Sequence, residues 1–476
     1  MKLSRQIIHG VILTNFVTVA EMGVGFIQQV VIVRYLLGIQ QYGALAFFQA
    51  GFGMLAVFFN LNLNYSAIRF GGAARGKEDE QEFYHIQGTT LFLTFVLNAL
   101  LLLISIGLSY FRFEYEGKVV GEYFLLLAIN NIASILGGFA STIYTSKKNF
   151  KLLSIQQILS TVLSAICILS FAYFNRTVKG AIYGMIAGSV AVSIASWVMV
   201  WTDFWKCKVD LSLTKSFGLY GGQFALSSIV KQFFWKADVI LLGLFATEKA
   251  VGIYRIAQTV ASPLMRVFSP LWTVLFPTVS VESGKGNYDN VKKLLFRGTQ
   301  WLVLGNLPFV IAGAFLLDYF IPLIYGGAEA AILPIRLLLW GYALGTMTSV
   351  SPPILRVFRN DLALYTTIVA AILNILLNLI LIPTYRANGA ALANFISFGL
   401  LAIVVYLYAF RAIEIKVLPL IDAKIVIQVI LIGGMMAASI LNHVIIAAAL
   451  LAVLFTYVFY SRIVTVAELK AYLSHG

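Results

Sequence analysis

The chain has 476 residues, 60% of them hydrophobic and 11% charged, with a formal charge of +14 and a mean hydropathy of +0.89. A soluble domain carries about 25% charged residues, so the composition excludes an ordinary water-soluble protein. The basic excess has a bland cause in the cytoplasmic loops of membrane proteins, and no nucleic-acid partner is expected.

Apolar runs of about 20 residues, the length a helix needs to span a bilayer, recur from end to end. Backbone groups in lipid must bond internally, and these runs are too long for barrel strands. The expected fold is therefore all-α and polytopic. Fourteen transmembrane helices are predicted, near 7–37, 41–63, 84–110, 120–145, 151–174, 179–203, 216–245, 250–280, 296–322, 331–356, 362–382, 387–411, 419–440 and 442–460. The opening Met1-Lys2-Leu3-Ser4-Arg5 is basic, but the apolar stretch after it is too long for a cleaved signal and reads as the first span. The longest predicted loop, 64–83, contains Lys77-Glu78-Asp79-Glu80 and is only a hairpin-sized connection.

Orientation follows from the short loops. One side, with both termini, holds most of the basic residues, including Lys147, Lys148, Lys151, Lys206, Lys208 and Lys215. The other holds Arg34, Arg112, Lys118, Arg176, Lys179, Lys249 and Arg386. Both termini are expected in the cytoplasm and the protein in a bacterial inner (plasma) membrane.

The two halves of the sequence echo each other. Gly43 and Gly252 are 209 residues apart, each followed six residues on by a glutamine (Gln49, Gln258), and Gly180-Ala181 matches Gly389-Ala390 at the same spacing. Leu36-Leu37-Gly38 and Leu241-Leu242-Gly243 match with a four-residue gap. The predicted organisation is a six-helix bundle over 1–205, a second over 206–412 in parallel repeat, and two extra transmembrane helices with a cytoplasmic tail over 413–476. Parallel repeats are a transporter architecture with the site at the repeat interface.

Ionisable groups inside spans normally face protein or a water-filled cavity. On the first span Thr14, Thr18, Glu21, Gly25 and Gln28 share a helical face. On the seventh, Ser227, Lys231, Trp235 and Asp238 do so, with Lys236 beside them. On the eighth, Arg255, Thr259, Ser262, Arg266, Ser269 and Thr273 form a stripe, and Pro263, Pro270 and Pro277 favour bending. Two readings compete: interhelical ion pairs that fix packing, or a cationic cavity for an anionic head group. The excess of cations over Glu21 and Asp238 favours the cavity. Lys231, Arg266, Lys236, Arg255 and Gln28 are the expected substrate-binding residues, and Glu21 and Asp238 the expected coupling residues. Arg336, near the start of the tenth span, is read as snorkelling to the outer interface.

Other features read as structural. Cys167 and Cys207 offer no disulfide framework, and His9, His85, His443 and His475 lack ligand spacing, so neither a metal nor a cofactor is expected. Gly184 and Gly188 fit a small-xxx-small packing seam. Val466, Leu469, Tyr472 and Leu473 allow a short interfacial helix. The outer-loop acids Glu114, Glu116, Glu122, Glu248, Asp318 and Glu329 are scattered, which argues against a membrane glycosyltransferase or polymerase.

The phrase Trp235-Lys236-Ala237-Asp238-Val239-Ile240-Leu241-Leu242-Gly243, followed by Val251-Gly252-Ile253-Tyr254, and Ile324-Tyr325-Gly326-Gly327 with Ala330, resembles the polysaccharide flippases. These are the Wzx-type O-antigen and capsule transporters of the multidrug/oligosaccharidyl-lipid/polysaccharide exporter superfamily. The resemblance implies transfer of a polyprenyl-diphosphate-linked oligosaccharide from the inner to the outer leaflet by alternating access. It also implies membrane lipids as surroundings and a coupling ion, proton or sodium, as partner. It carries over no site residue. A lipid II-type flippase and a drug or cation exporter of the same superfamily are the alternatives; an exporter of cations would want an acidic cavity.

Overall fold

The computed structural model describes residues 2–111, 114–268, 270–413 and 423–460. Helix occupies every predicted span, and the only strands among the described residues are a two-stranded hairpin. Among the described residues, eight helical stretches are long and apolar enough to cross a membrane. Their outer faces carry exposed apolar residues such as Phe95, Leu103, Ile194, Phe309 and Ile380. Their inner faces bury Gln156, Asn306, Asn374, Asn378 and Asn394. That inverted distribution suits lipid rather than water.

By Cα packing the chain divides into two compact units, Met1–Gly252 and Ile253–Gly476. The first begins with α1 (Lys2–Val31), which passes through a π-helical turn at Ile32–Leu36. Gly38 then takes φ +74°, which only glycine adopts cheaply, and starts α2 (Gly38–Ala56). The second predicted span does not run unbroken to 63. α2 ends at Ala56, residues 57–62 are non-helical, and Asn62 adopts φ +50° before α3 (Leu63–Gly76). The predicted loop 64–83 is thus largely helix. Asn60-Leu61-Asn62 supplies the break, because short amide side chains compete with helical bonding and tolerate the left-handed region.

α4 (Glu80–Tyr110) starts at Asp79, whose carboxylate accepts from the Glu82 amide at 2.8 Å. The hairpin β1 (Glu114–Tyr115) and β2 (Lys118–Val119) follows. α5 (Val120–Ala133) and α6 (Ile135–Ser146) are separated by Ser134 alone. α7 (Phe150–Asn175) is capped by Asn149 and α8 (Val178–Met199) by Thr177. α7 and α8 meet along the predicted glycine seam: a Cβ on Gly184 would lie 2.6 Å from Ile168 Cα, and one on Gly188 2.9 Å from Ser164 Cα. The unit ends with α9 (Trp201–Phe204), α10 (Thr214–Phe245), and the first residues of α11 (Glu248–Ala261). α10 packs on α2 and α3. By contact it therefore lies in the first unit, whereas the sequence repeat groups it with the second half; sequence offset and packing partner are different properties.

In the second unit the eighth predicted span is three helices: the remainder of α11, α12 (Pro263–Phe268) and α13 (Pro270–Gly284). Each new segment opens on a proline, whose ring disfavours helix in the residue before it; Pro277 lies within α13 without ending it. α14 (Tyr288–Tyr325), α15 (Ile332–Met347) and α16 (Ser351–Phe358) follow. α17 (Asn360–Ala412) contains two predicted spans, divided at Arg386 with φ +51° and ψ −125°. α18 (Ala423–Ile440) and α19 (Val444–Tyr460) pack through Met435 and Leu454 onto a core with Trp340 and Met347. The side chains of Thr14, Ser227, Ser269 and Thr273, and the tail 461–476 with its predicted interfacial helix, lie outside the described residues.

Candidate functional site

α2, α5, α8 and α10 of the first unit line an open cavity of about 600 Å³. The α10 wall carries Lys231, Gln232, Trp235 and Lys236. Lys231 and Trp235 are four residues apart, as are Gln232 and Lys236, so two adjacent helical rows face the same space. Lys231 is exposed and Lys236 half-buried. Gly53 on α2 leaves room for the second ammonium: a Cβ there would sit 2.1 Å from Lys236 Nζ.

The opposing walls are neutral and polar. Gln49 lies on α2, Asn60 and Asn62 in the helix break, and Asn130 and Asn131 at the end of α5. Neighbours hold several of these amides in place. Asn62 Nδ2 donates to Ser228 Oγ at 2.7 Å, and Ser189 Oγ donates to Asn130 Oδ1 at 2.9 Å. Non-helical backbone at membrane depth is tolerated where it lines a cavity, and residues 57–62 do so through Val57, Asn60 and Asn62. Among the described residues, no acidic group lines this space. It can offer positive charge and amide hydrogen bonds together, which suits an anion bearing hydroxyl groups.

Of the residues expected from the sequence, Lys231, Lys236 and Trp235 come together here. Asp238, one turn further along α10, is 1% exposed, with its carboxylate accepting from the Val239 amide at 2.7 Å. Glu21 and Gln28 are partly buried on α1, outside the described lining, and α1 packs on α7. Arg255 and Arg266 belong to the second unit. The Arg255 guanidinium donates to Gln258 Oε1 at 3.1 Å, and Arg266 is exposed on α12. The cavity amides were missed because an uncharged asparagine inside a predicted span, 41–63 or 120–145, is not conspicuous as a lysine is. The alternation Asn60-Leu61-Asn62-Leu63-Asn64 beside a span was the available signal.

Two readings change. Arg336 does not snorkel outward: it is 4% exposed and its Nη2 sits 2.8 Å from both oxygens of Asp318, with Asn442 as a further partner. A buried guanidinium demands a carboxylate, and this one comes from another helix. Nor are all the outer acids isolated. Glu248, 1% exposed, pairs with Lys118 of the hairpin and accepts from Gln40, while its amide donates to Glu116. Tyr115 of the same hairpin stacks on Phe47 at 4.1 Å. The second unit also holds a buried amide network, in which Asn378 donates to Asn374, Asn374 to Asn394, and Asn394 to the Tyr254 hydroxyl.

A family model described as polysaccharide biosynthesis protein matches residues 7–281, more than half of the chain. The chain belongs to that family. Its apolar helices make this chain a multi-pass membrane protein. A probable low-salt glycan biosynthesis flippase of Haloferax volcanii is 24% identical over 199 residues, 41% of this chain and 42% of that relative, so the match spans less than half of the relative's length. The lipid II flippase MurJ, in an inward closed conformation, aligns with 95% of this chain and 100% of its own at 15% identity and a TM-score of 0.69. An inward-facing multidrug resistance MATE family transporter of the MOP superfamily aligns with 83% and 94% at 15% identity and a TM-score of 0.59. At that identity the structures speak for fold alone.

Proposed function

We propose that the protein is a flippase that carries a polyprenyl-diphosphate-linked oligosaccharide from the cytoplasmic to the outer leaflet of the inner membrane, serving surface polysaccharide assembly. The observation that supports this most is the cavity lined by Lys231 and Lys236 with no acidic group among its described lining residues. A diphosphate is acceptor-only and carries more than one negative charge, so it gains most from paired ammonium donors such as these. Family membership and a relative named as a glycan biosynthesis flippase point the same way.

In this reading the head group enters from the cytoplasmic side, where both termini lie, and transfer proceeds by alternating access of two six-helix bundles, 1–205 and 206–412, with 413–476 as an addition. Arg255, Arg266 and Gln28 complete the anion-binding set at other stages of the cycle. Glu21 and Asp238 carry the coupling proton or sodium. The protein acts without bond chemistry. In support, Glu122, Glu248 and Asp318, three of the outer acids an enzyme would use, are each held by a cation. A cation exporter fits poorly, because the lysines would repel its substrate.

The test is export of the glycan by cells carrying Lys231→Glu or Lys236→Glu. Export should fall to background while the amount of protein in the membrane is unchanged. Full export by both variants would remove this site from the mechanism.

A further inference from the structure

Beside the lysine-bearing cavity lies a second chamber of about 140 Å³, between α3, α4, α5 and α6. Asn60 and Asn131 line both. Two helix breaks border it: residues 57–62 contribute Phe59, Asn60 and Leu61, and the α5–α6 break contributes Ser134. Interrupted helices in a transporter mark the place where backbone is turned toward a ligand. Here two of them adjoin one space.

The chemistry of the walls differs from that of the larger cavity. Among the described lining residues none is charged. Three of the four hydroxyls in the described lining commit their hydrogens to their own helices: Thr90 to Ile86 O at 2.8 Å, Ser134 to Asn131 O at 2.7 Å, and Thr142 to Gly138 O at 2.9 Å; the fourth is Thr94. Asn131 Nδ2 donates to Asn98 Oδ1, and Asn98 Nδ2 to Thr94 O. What remains toward the chamber is a mixture of neutral donors and acceptors, from the Asn60 and Asn64 amides, the Thr94 hydroxyl and the lone pairs of the other hydroxyls, with Phe139 as an apolar wall. An uncharged chamber disfavours a diphosphate, which would be buried there without a cation beside it. It equally disfavours a bare cation, which would be buried without a counter-charge. It suits a neutral ligand rich in hydroxyl groups with an apolar face, and the space exceeds what single waters require.

We propose that this chamber receives one neutral sugar ring of the lipid-linked head group, and so makes transport sensitive to the glycan. The proposal rests on the reading that the adjoining lysines take the diphosphate. Sorting then follows from charge: phosphate oxygens go to the ammonium groups of the larger cavity, and sugar hydroxyls to the neutral amides and hydroxyls of the chamber.

Gly138 gives the test. It lines the chamber, and a Cβ there would meet nothing within 4 Å, so a larger side chain grows into empty space. Binding of undecaprenyl diphosphate, and of the same lipid carrying one N-acetylglucosamine, would be measured on the purified full-length protein in nanodiscs. Gly138→Leu should lower affinity for the glycosylated probe about tenfold and leave the bare diphosphate within about twofold, the size of one lost charge-free hydrogen-bond set. Thr94→Val, which removes a hydroxyl without filling space, should act in the same direction and covers the case that the leucine variant does not fold. Equal loss for both probes, or no loss for either, overturns the sugar assignment while leaving the diphosphate reading intact. Binding of radioactive sodium that Gly138→Leu abolishes, with the glycosylated probe unaffected, also overturns it in favour of a cation chamber. Lys231→Gln should weaken both probes; if it weakens neither, the diphosphate reading falls and the sugar assignment falls with it.

Discussion

Gly43 and Gly252, matched in sequence at a spacing of 209 residues, meet in the first unit: a Cβ on Gly43 would lie 2.6 Å from the Gly252 amide nitrogen and 1.8 Å from the Glu248 carbonyl oxygen. The obstacles are backbone atoms, which no rotamer change can clear. Gly43→Val should therefore push α2 and α11 apart and cost ~1–3 kcal/mol or more, in line with overpacked cores. Thermal unfolding in detergent reads this as a lowered midpoint; an unchanged midpoint would mean that the two helices tolerate separation.

Gly53 makes a different prediction, because its neighbour is the tip of a flexible side chain. Gly53→Val should displace the Lys236 ammonium rather than the helix. Stability should hold while glycan export falls, by about tenfold if the contact weakens by about 1.4 kcal/mol. Loss of folded protein instead would show that Gly53 serves packing.

The hairpin is fastened to the start of α11 by Lys118 and Glu248, whose carboxylate is buried. Lys118→Glu should destabilise the first unit by ~3 kcal/mol, since it leaves a buried carboxylate beside a like charge. The double variant Lys118→Glu with Glu248→Lys should recover much of that loss. Absence of recovery would assign the effect to the geometry of the hairpin rather than to charge.

Arg336 and Asp318 form the corresponding test in the second unit. Asp318→Asn should cost ~3–5 kcal/mol by stranding a buried guanidinium, and Asp318→Glu less. A melt that does not move with Asp318→Asn would indicate that Asn442 alone satisfies the arginine.

Burial, and after it the nearby Asp203 carboxylate, push the Cys207 thiol up to about 12. Thiolate is the reactive species. Maleimide labelling of Cys207 at neutral pH should thus be slower in the folded protein than in the urea-unfolded chain by a factor on the order of 10³. Above the ordinary thiol range the unfolded chain releases this proton first, so the contribution to stability is lost as pH rises. Equal labelling rates would place the sulfur in open water.

The spans were legible because lipid imposes one rule on every residue of a long helix, and runs such as 150–175 or 444–460 obey it without exception. Pro263 and Pro270 announced their breaks for the same reason, acting through backbone chemistry local to the residue. What the sequence concealed depends on distant partners. Nothing near Arg336 points to Asp318, and nothing near Glu248 points to Lys118, 130 positions earlier. Asn131 reads as an interior polar residue until Asn98 and the break at Ser134 are seen around it. Lys231 and Lys236 were found because a charge in a span is conspicuous alone; the amides facing them were not.

Every proline of the chain lies at residue 263 or later, beyond the first unit, which ends at Gly252. Its breaks at 57–62 and at Ser134 are made without proline, so each residue in them keeps an amide hydrogen that a proline would have deleted. There is a temporal consequence as well. Proline isomerisation takes tens to hundreds of seconds without a catalyst, and none of that waiting falls on residues 1–262, which are synthesised before the prolines that follow them. That segment can complete its backbone choices during synthesis, while the waiting within residues 1–476 is confined to 263–476.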